Sequence, residues 1–326
     1  MKELRVGIVG YNFMGKAHSN AWGQAGRFFE LPVKVVLRAA CGRTKARVEA
    51  FARNWGWESV ETDYQKLVRR EDIDIVDVCT PNNLHREVAL AALAAGKAVS
   101  CEKPLAMNLA QAREMAAAAA ERQAFTTVWY NYRRVPALCL ARRLVREGRI
   151  GRIFHVRAQY LQSWIIDQNF PLVWRLDGAV AGSGSHGDLN AHIVDTARYV
   201  TGEEIVEVAA LMETFIKERP VLDDFGAGLA AKAGKGRKAR VTVDDAVLAL
   251  ARLSGGGVAT FEATRFAQGN LNGNKIEING EKGAVRFCFE RMNELEYYSK
   301  LGSILFQGLR SFGAGLHDAD FADPYR

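Results

Sequence analysis

Leu4 to Val9 reads Leu-Arg-Val-Gly-Ile-Val, a short β-branched run. It leads directly into Gly10-Tyr11-Asn12-Phe13-Met14-Gly15, and a helical pattern begins at about Lys16. Strand, glycine turn and helix in that order leave few options, because a strand feeding a helix through so tight a turn lays that helix back on its own sheet. The turn fits the spacing Gly-x-Gly-x-x-Gly with Asn12 at the second glycine. Asn is the substitute best able to adopt a left-handed backbone. Such a turn aims backbone N–H groups and a helix N-terminus at a pyrophosphate. Gly10, Asn12, Phe13, Met14 and Gly15 are therefore expected to cradle a dinucleotide.

The next hundred residues repeat the alternation. Val33 to Cys41 is a second strand, followed by helical patterns at 44–55 and 64–70. The strand from Ile73 to Cys79 ends in Thr80-Pro81-Asn82-Asn83-Leu84-His85. Gly96 stops the following helix. The strand from Ala98 to Cys101 ends in Glu102-Lys103-Pro104, and a helix over 109–122 and a strand near 125–129 follow. Strands alternating with helices predict a doubly wound parallel sheet, a Rossmann domain over 1–128, with ligands at the C-terminal ends of its strands. Thr80, Pro81, Asn82, Glu102 and Lys103 occupy such ends. A lysine there either snorkels to the surface or serves a ligand.

The end of the second strand bears on the cofactor. Dinucleotide folds place there the residue that reads the adenosine ribose, an acid for NAD. Here it runs Cys41-Gly42-Arg43-Thr44, with no carboxylate in the run. A guanidinium and a hydroxyl suit a 2′-phosphate, so NADP is favoured over NAD. The competing reading is an Arg43 that faces solvent at a helix start.

From Tyr130 the pattern changes. Tyr130-Asn131-Tyr132-Arg133-Arg134 is polar and aromatic, a helix is expected over 135–147, and Ile153 to Leu161 alternates as a strand. Ser163 to Arg175 interleaves Trp164, Asp167, Asn169, Trp174 and Arg175, a mixture that lines sugar pockets and also serves plain packing. Consecutive strands are expected over 205–215, 241–253, 257–265, 275–279 and 284–289, which makes a largely antiparallel open sheet and an α+β domain over 129–326. Between them lies Asp177 to Asp195, glycine-rich and then helical. Asp188 and His192 lie one turn apart on one helical face, with His186 on another side or in the loop ahead. A carboxylate beside an imidazole fixes its tautomer and tunes it as an acid–base group. A solvated or capping pair is the competing reading.

Composition excludes several classes. A chain of 326 residues that is 48% apolar and 25% charged is long and apolar enough for two soluble cores. No apolar run reaches membrane-span length, and the N-terminus lacks signal-peptide architecture. The five cysteines are odd in number and lack metal spacing, so reduced thiols, a cytoplasmic setting and no metal are expected. The net charge of +7 is scattered; its one concentration, Lys232 to Arg240, reads as a solvated loop, with no nucleic acid or membrane as partner.

The glycine turn at 10–15, Thr80-Pro81 with His85, Glu102-Lys103-Pro104 and Asp188-x-x-x-His192, in this order, resemble the glucose–fructose oxidoreductase / inositol dehydrogenase / MocA (Gfo/Idh/MocA) family. Asn-Tyr-Arg-Arg at 131–134, Tyr-Leu-Gln at 160–162, Trp-Arg at 174–175 and Glu-Ala-Thr-Arg at 262–265 look most like its levoglucosan-dehydrogenase-type members. The resemblance implies NAD or NADP and hydride transfer at a carbinol of a sugar, anhydrosugar or cyclitol. It also implies further cofactor contacts at His85, Glu102 and Asn131, and a C-terminal helical segment that this sequence does not carry. Oxidising a carbinol needs a base, a hydride acceptor and a cation near the developing alkoxide. His192 is the expected base, Asp188 its orienting partner and Lys103 the cation. Tyr132, Arg133, Gln162, Trp164, Trp174, Arg265 and Asn272 are expected sugar contacts. A homodimer or homotetramer through the second sheet is expected. The alternatives are a non-catalytic NAD(P)-binding sensor and an NAD-dependent glycoside hydrolase on the same fold.

Overall fold

The computed structural model describes residues 1–221, 237–300 and 310–313. The chain forms two compact units. The first is Met1–Trp129 with Ala179–Gly182; the second is Tyr130–Gly178 with the described residues from Ser183 onward.

The first unit carries β1 (Lys2–Val9), α1 (Phe13–Phe28), β2 (Val33–Cys41), α2 (Lys45–Trp55), β3 (Ser59–Glu61), α3 (Tyr64–Arg69), β4 (Ile75–Val78), α4 (His85–Ala94), β5 (Ala98–Cys101), α5 (Leu109–Glu121) and β6 (Thr126–Val128). Its strands pair in parallel in the order β3-β2-β1-β4-β5-β6. Strand order therefore reverses between β1 and β4, and the crevice at their C-terminal ends is where ligands of such sheets bind. All four residues of β4 are buried, as helices on both faces require. Ile75 and Val78 belong to different apolar clusters.

Two glycines of the first turn are needed for close approach. Gly10 has φ +113°, and a Cβ there would lie 2.3 Å from the Cys79 carbonyl oxygen. A Cβ on Gly15 would lie 2.2 Å from the Gly10 oxygen. Asn12 differs from expectation: its φ is −81°, an extended backbone open to any residue, so the missing glycine puts no strain on the turn.

In the second unit α6 (Pro136–Arg146) and β7 (Ile153–Leu161) come first. A single helical turn, α7 (Gly178–Ala181), falls almost wholly in the first unit, and α8 (Ala191–Thr201) returns to the second. Then follow β8 (Ile205–Glu213), β9 (Glu218–Pro220), β10 (Lys238–Arg240), β11 (Ala246–Leu253), β12 (Val258–Thr264), β13 (Gly273–Gly280), β14 (Gly283–Cys288), β15 (Glu294–Ser299) and β16 (Arg310–Gly313). Eight strands form one sheet in the order β16-β15-β14-β13-β7-β12-β11-β8, antiparallel except for β7 with β12. One face buries Val156, Phe261 and Phe287 with Leu138 of α6 and Ile193 of α8. The other exposes Leu211 (69%), Leu248 (51%) and Leu250 (64%).

β3, β9 and β10 escape sequence reading because three residues show no periodicity, and β15 and β16 were not expected either. Residues 232–236 of the basic patch lie outside the described residues. Lys238–Arg240, expected as loop, pairs with Glu218–Pro220. Among the described residues, no helix is long and apolar enough to cross a membrane.

Candidate functional site

The turn that opens α1 can receive an anion. Asn12 makes no side-chain cap, and no acidic residue stands in the first turn. The first amides of α1 are thus left to an anionic ligand, and Phe13 is 65% exposed beside them. Thr80 Oγ1, just past β4, is buried with no hydrogen-bond partner among the described residues. Both features fit a dinucleotide lying across the strand ends.

At the end of β2, Arg43 and Thr44 are exposed. A Cβ on Gly42 would lie 2.0 Å from the Tyr11 ring, so a larger residue there would have to displace that ring. Sheet register adds what the local run lacked, since Glu61 pairs opposite Cys41. Burial, with Glu61 and then Asp63, pushes the Cys41 thiol up to about 12. Both carboxylates have partners: Glu61 lies 3.4 Å from Arg70, and Asp63 caps α3 through the Gln65 amide at 2.8 Å.

Two expected cofactor contacts turn inward. His85 is 0% exposed. Its Nδ1 lies 2.9 Å from the Pro104 oxygen and its Nε2 3.0 Å from the Thr80 oxygen. Burial pushes its pKa down, and a neutral ring donates from one nitrogen at a time. His85 therefore lies between two strand-end loops and hydrogen-bonds one of these carbonyls at a time. Glu102, 6% exposed, accepts from the Lys103 amide at 3.1 Å. Asn82 donates to the Ala181 oxygen at 2.9 Å.

In the second unit the stretch around Asp188 is not one α-helix. His186–Asn190 is a π turn that runs into α8, a feature that recurs at functional sites. Asp244, just before β11, anchors its start. One carboxylate oxygen accepts from the Gly184 amide at 2.7 Å, the other from the Ser185 hydroxyl and the His186 amide, both at 2.7 Å. A Cβ on Gly184 would lie 1.8 Å from the Asp244 main-chain oxygen, so this close approach of the two backbones needs glycine. Arg265, expected to meet sugar, is 1% exposed and donates to Asp188 Oδ2 at 2.8 Å and to the Gly184 oxygen at 3.2 Å. Its guanidinium holds the turn rather than an open pocket wall.

His192, 7% exposed, sits among tyrosines. Ring centroids of Tyr132, Tyr130 and Tyr160 lie 4.8, 5.9 and 6.0 Å away. Tyr160 was unassigned in the sequence; its hydroxyl lies 2.6 Å from that of Tyr132 and donates to Asn272 Oδ1 at 2.6 Å. Gln162 Nε2 donates to the same oxygen at 2.9 Å, and Gln162 Oε1 accepts from Trp164 Nε1 at 2.9 Å. Burial, with Tyr132 next in effect, pushes the Tyr160 pKa far up, so its hydroxyl stays protonated. Four expected sugar contacts thus join one hydrogen-bonded chain beside His192. Arg133 instead pairs bidentately with Asp195 at 2.8 and 2.5 Å, and Arg175 stacks on Trp174, 4.4 Å from its centroid. Asn131 is exposed in a 3₁₀ turn.

Comparison with known proteins agrees with this architecture. Residues 4–130 match the profile of an oxidoreductase family with an NAD-binding Rossmann fold, and residues 139–286 match the Gfo/Idh/MocA C-terminal domain. Levoglucosan dehydrogenase of Pseudarthrobacter phenanthrenivorans is 41% identical over 301 residues, which is 91% of this chain and 76% of that protein. The chain belongs to the Gfo/Idh/MocA oxidoreductase family. Two solved structures of similar fold each have a TM-score of 0.90. An oxidoreductase domain protein from Kribbella flavida is 49% identical, with 96% of this chain and 81% of that chain covered. Levoglucosan dehydrogenase in complex with NADH and levoglucosan is 38% identical, with the same coverage. Family membership makes the chain an NAD-dependent oxidoreductase.

Proposed function

We propose that this oxidoreductase moves a hydride between nicotinamide and a secondary alcohol of a sugar, anhydrosugar or cyclitol. His192 is the base for the hydroxyl proton, Asp188 sets the electrostatics of that turn, and Lys103 steadies the developing alkoxide. A bound nicotinamide supplies the hydride acceptor. The observation that carries this reading is the run of polar groups beside His192. The tyrosine hydroxyls and the amides of Gln162 and Asn272 are the donors and acceptors that a polyol demands, set among aromatic faces that suit its apolar side. The 41% identity to a levoglucosan dehydrogenase supports an anhydrosugar.

The dinucleotide site is read as accepting either cofactor. Exposed Arg43 and Thr44 serve a 2′-phosphate, while the solved relative holds NADH. The exposed leucines of β8 and β11 are read as the face through which copies pair in a cytoplasmic homodimer or homotetramer. The test of function is absorbance at 340 nm with a panel of sugars, anhydrosugars and cyclitols, each with NAD and NADP. Steady build-up of reduced cofactor with one of them is the expected result. Turnover without build-up would point to a hydrolase that uses NAD transiently, and no turnover to a sensor.

A further inference from the structure

His18, on α1, is 7% exposed and stands between two carboxylates. Its Nδ1 lies 2.9 Å from Asp77 Oδ2, and its Nε2 2.9 Å from Glu102 Oε1. Asp77 also accepts from Trp22 Nε1 at 2.7 Å and from Ser100 Oγ at 3.0 Å, while the Trp129 Nε1 hydrogen goes mainly to Ser100 Oγ and only grazes Asp77 at 3.3 Å. Asp77 is 0% exposed, and both of its oxygens are used as acceptors. Glu102 accepts from the Lys103 amide with its other oxygen. A neutral imidazole offers one N–H and one lone pair, and the lone pair would face one of these carboxylates at hydrogen-bond distance. Only the doubly protonated ring satisfies both.

The remaining groups around the ring do not supply that charge. Cys79 Sγ lies 3.1 Å from Nδ1, and burial, then Asp77 and Glu102, push its thiol well up, so it stays neutral. Cys101 on β5 is pushed up by burial in the same way. His85, itself within electrostatic reach of Glu102 and Lys103, is pushed down by burial and adds no charge.

We propose that His18 is a positioning residue, an imidazolium that locks Glu102, and through it the main chain of Lys103, to the helix that begins at the dinucleotide turn. The proposal rests on the role of Lys103 given above. Burial alone would lower the His18 pKa; its hydrogen bonds to Asp77 and Glu102 outweigh that and raise it to about 9. A raised pKa means the lock is in place below the ordinary imidazole range and is lost as pH rises through about 9.

Nitrogen NMR of the full chain labelled at histidine tests the charge directly. Both nitrogens of His18 should be protonated at neutral pH and titrate near 9. A ring that is neutral at pH 7 would overturn the proposal. The Lys103 amide resonance should shift with the same midpoint and lose that shift in His18→Gln; a Lys103 amide indifferent to the titration would overturn it too. With levoglucosan and NAD as the probe pair, His18→Gln should slow single-turnover hydride transfer by up to about 10²-fold, the cost of a small misplacement at a reacting centre. NADH affinity should change little, and the decline of the rate near pH 9 should vanish. A variant with a lower Tm but the parental rate and alkaline decline would make His18 merely structural. If Lys103→Met keeps full activity, the role of Lys103 fails, while the two NMR results still decide the state of His18.

Discussion

Arg265 and Asp188 form an ion pair of 2.8 Å in which the guanidinium is 1% exposed and the carboxylate 26%. The pair ties β12's end to the π turn that launches α8, four residues ahead of His192. A charge so deeply buried is held by its partner and by backbone carbonyls, here those of Arg175 and Gly184.

Removing the guanidinium should therefore cost more than a surface pair would. Arg265→Ala is expected to destabilise the chain by about 3 kcal/mol, the lower end for a broken buried pair because Asp188 is partly solvated. The fall should appear as a shifted urea midpoint at unchanged slope. Arg265→Lys should recover part of the stability and little of the hydride-transfer rate, since a point charge cannot reproduce the fork. Full activity in Arg265→Ala would show that the position of Asp188 does not matter to the chemistry.

Cofactor choice turns on Arg43. Arg43→Ala should weaken NADP by about tenfold, the worth of one charge-assisted contact, and leave NAD nearly unchanged. Titration of each cofactor by protein fluorescence measures both constants. Equal weakening of the two would mean that Arg43 does not read the 2′-phosphate.

The open face of the second sheet makes a separate prediction. Leu211 and Leu250 are more than half exposed on adjacent strands. A monomer seldom leaves such an apolar patch uncovered. Light scattering should give a dimer or tetramer at micromolar concentration, and the pair Leu211→Glu with Leu250→Glu should give a folded monomer. A monomeric parent chain would remove this reading.

Local pattern carries most of the architecture. The strand–turn–helix at Leu4–Gly15, the buried run of β4 and the alternation of β11 follow from periods of two and 3.6. What stayed hidden depends on contacts distant in sequence. Asp244 anchors Gly184 and Ser185 from about sixty residues away, and nothing near Asp244 announces it. Glu61 comes beside Cys41 only through sheet register. His85, Glu102 and Arg265 are expected as ligand contacts from the resemblance and from strand-end position, and local sequence does not show that each is buried with partners from other elements. The π turn is likewise invisible, because spacing four reads the same in an α-helix.

The central claim is that His192 takes the hydroxyl proton. It is tested most directly by single-turnover hydride transfer from levoglucosan to NAD, followed from pH 5 to 9 in the parent chain and in His192→Gln. The parent rate should climb as the imidazole loses its proton. Gln can still hydrogen-bond but cannot take a proton, so its rate should be lower by about 10²–10⁴-fold and lack that rise. A His192→Gln chain that runs near the parent rate, with only a raised KM, would contradict the account and leave His192 as a residue that positions the sugar.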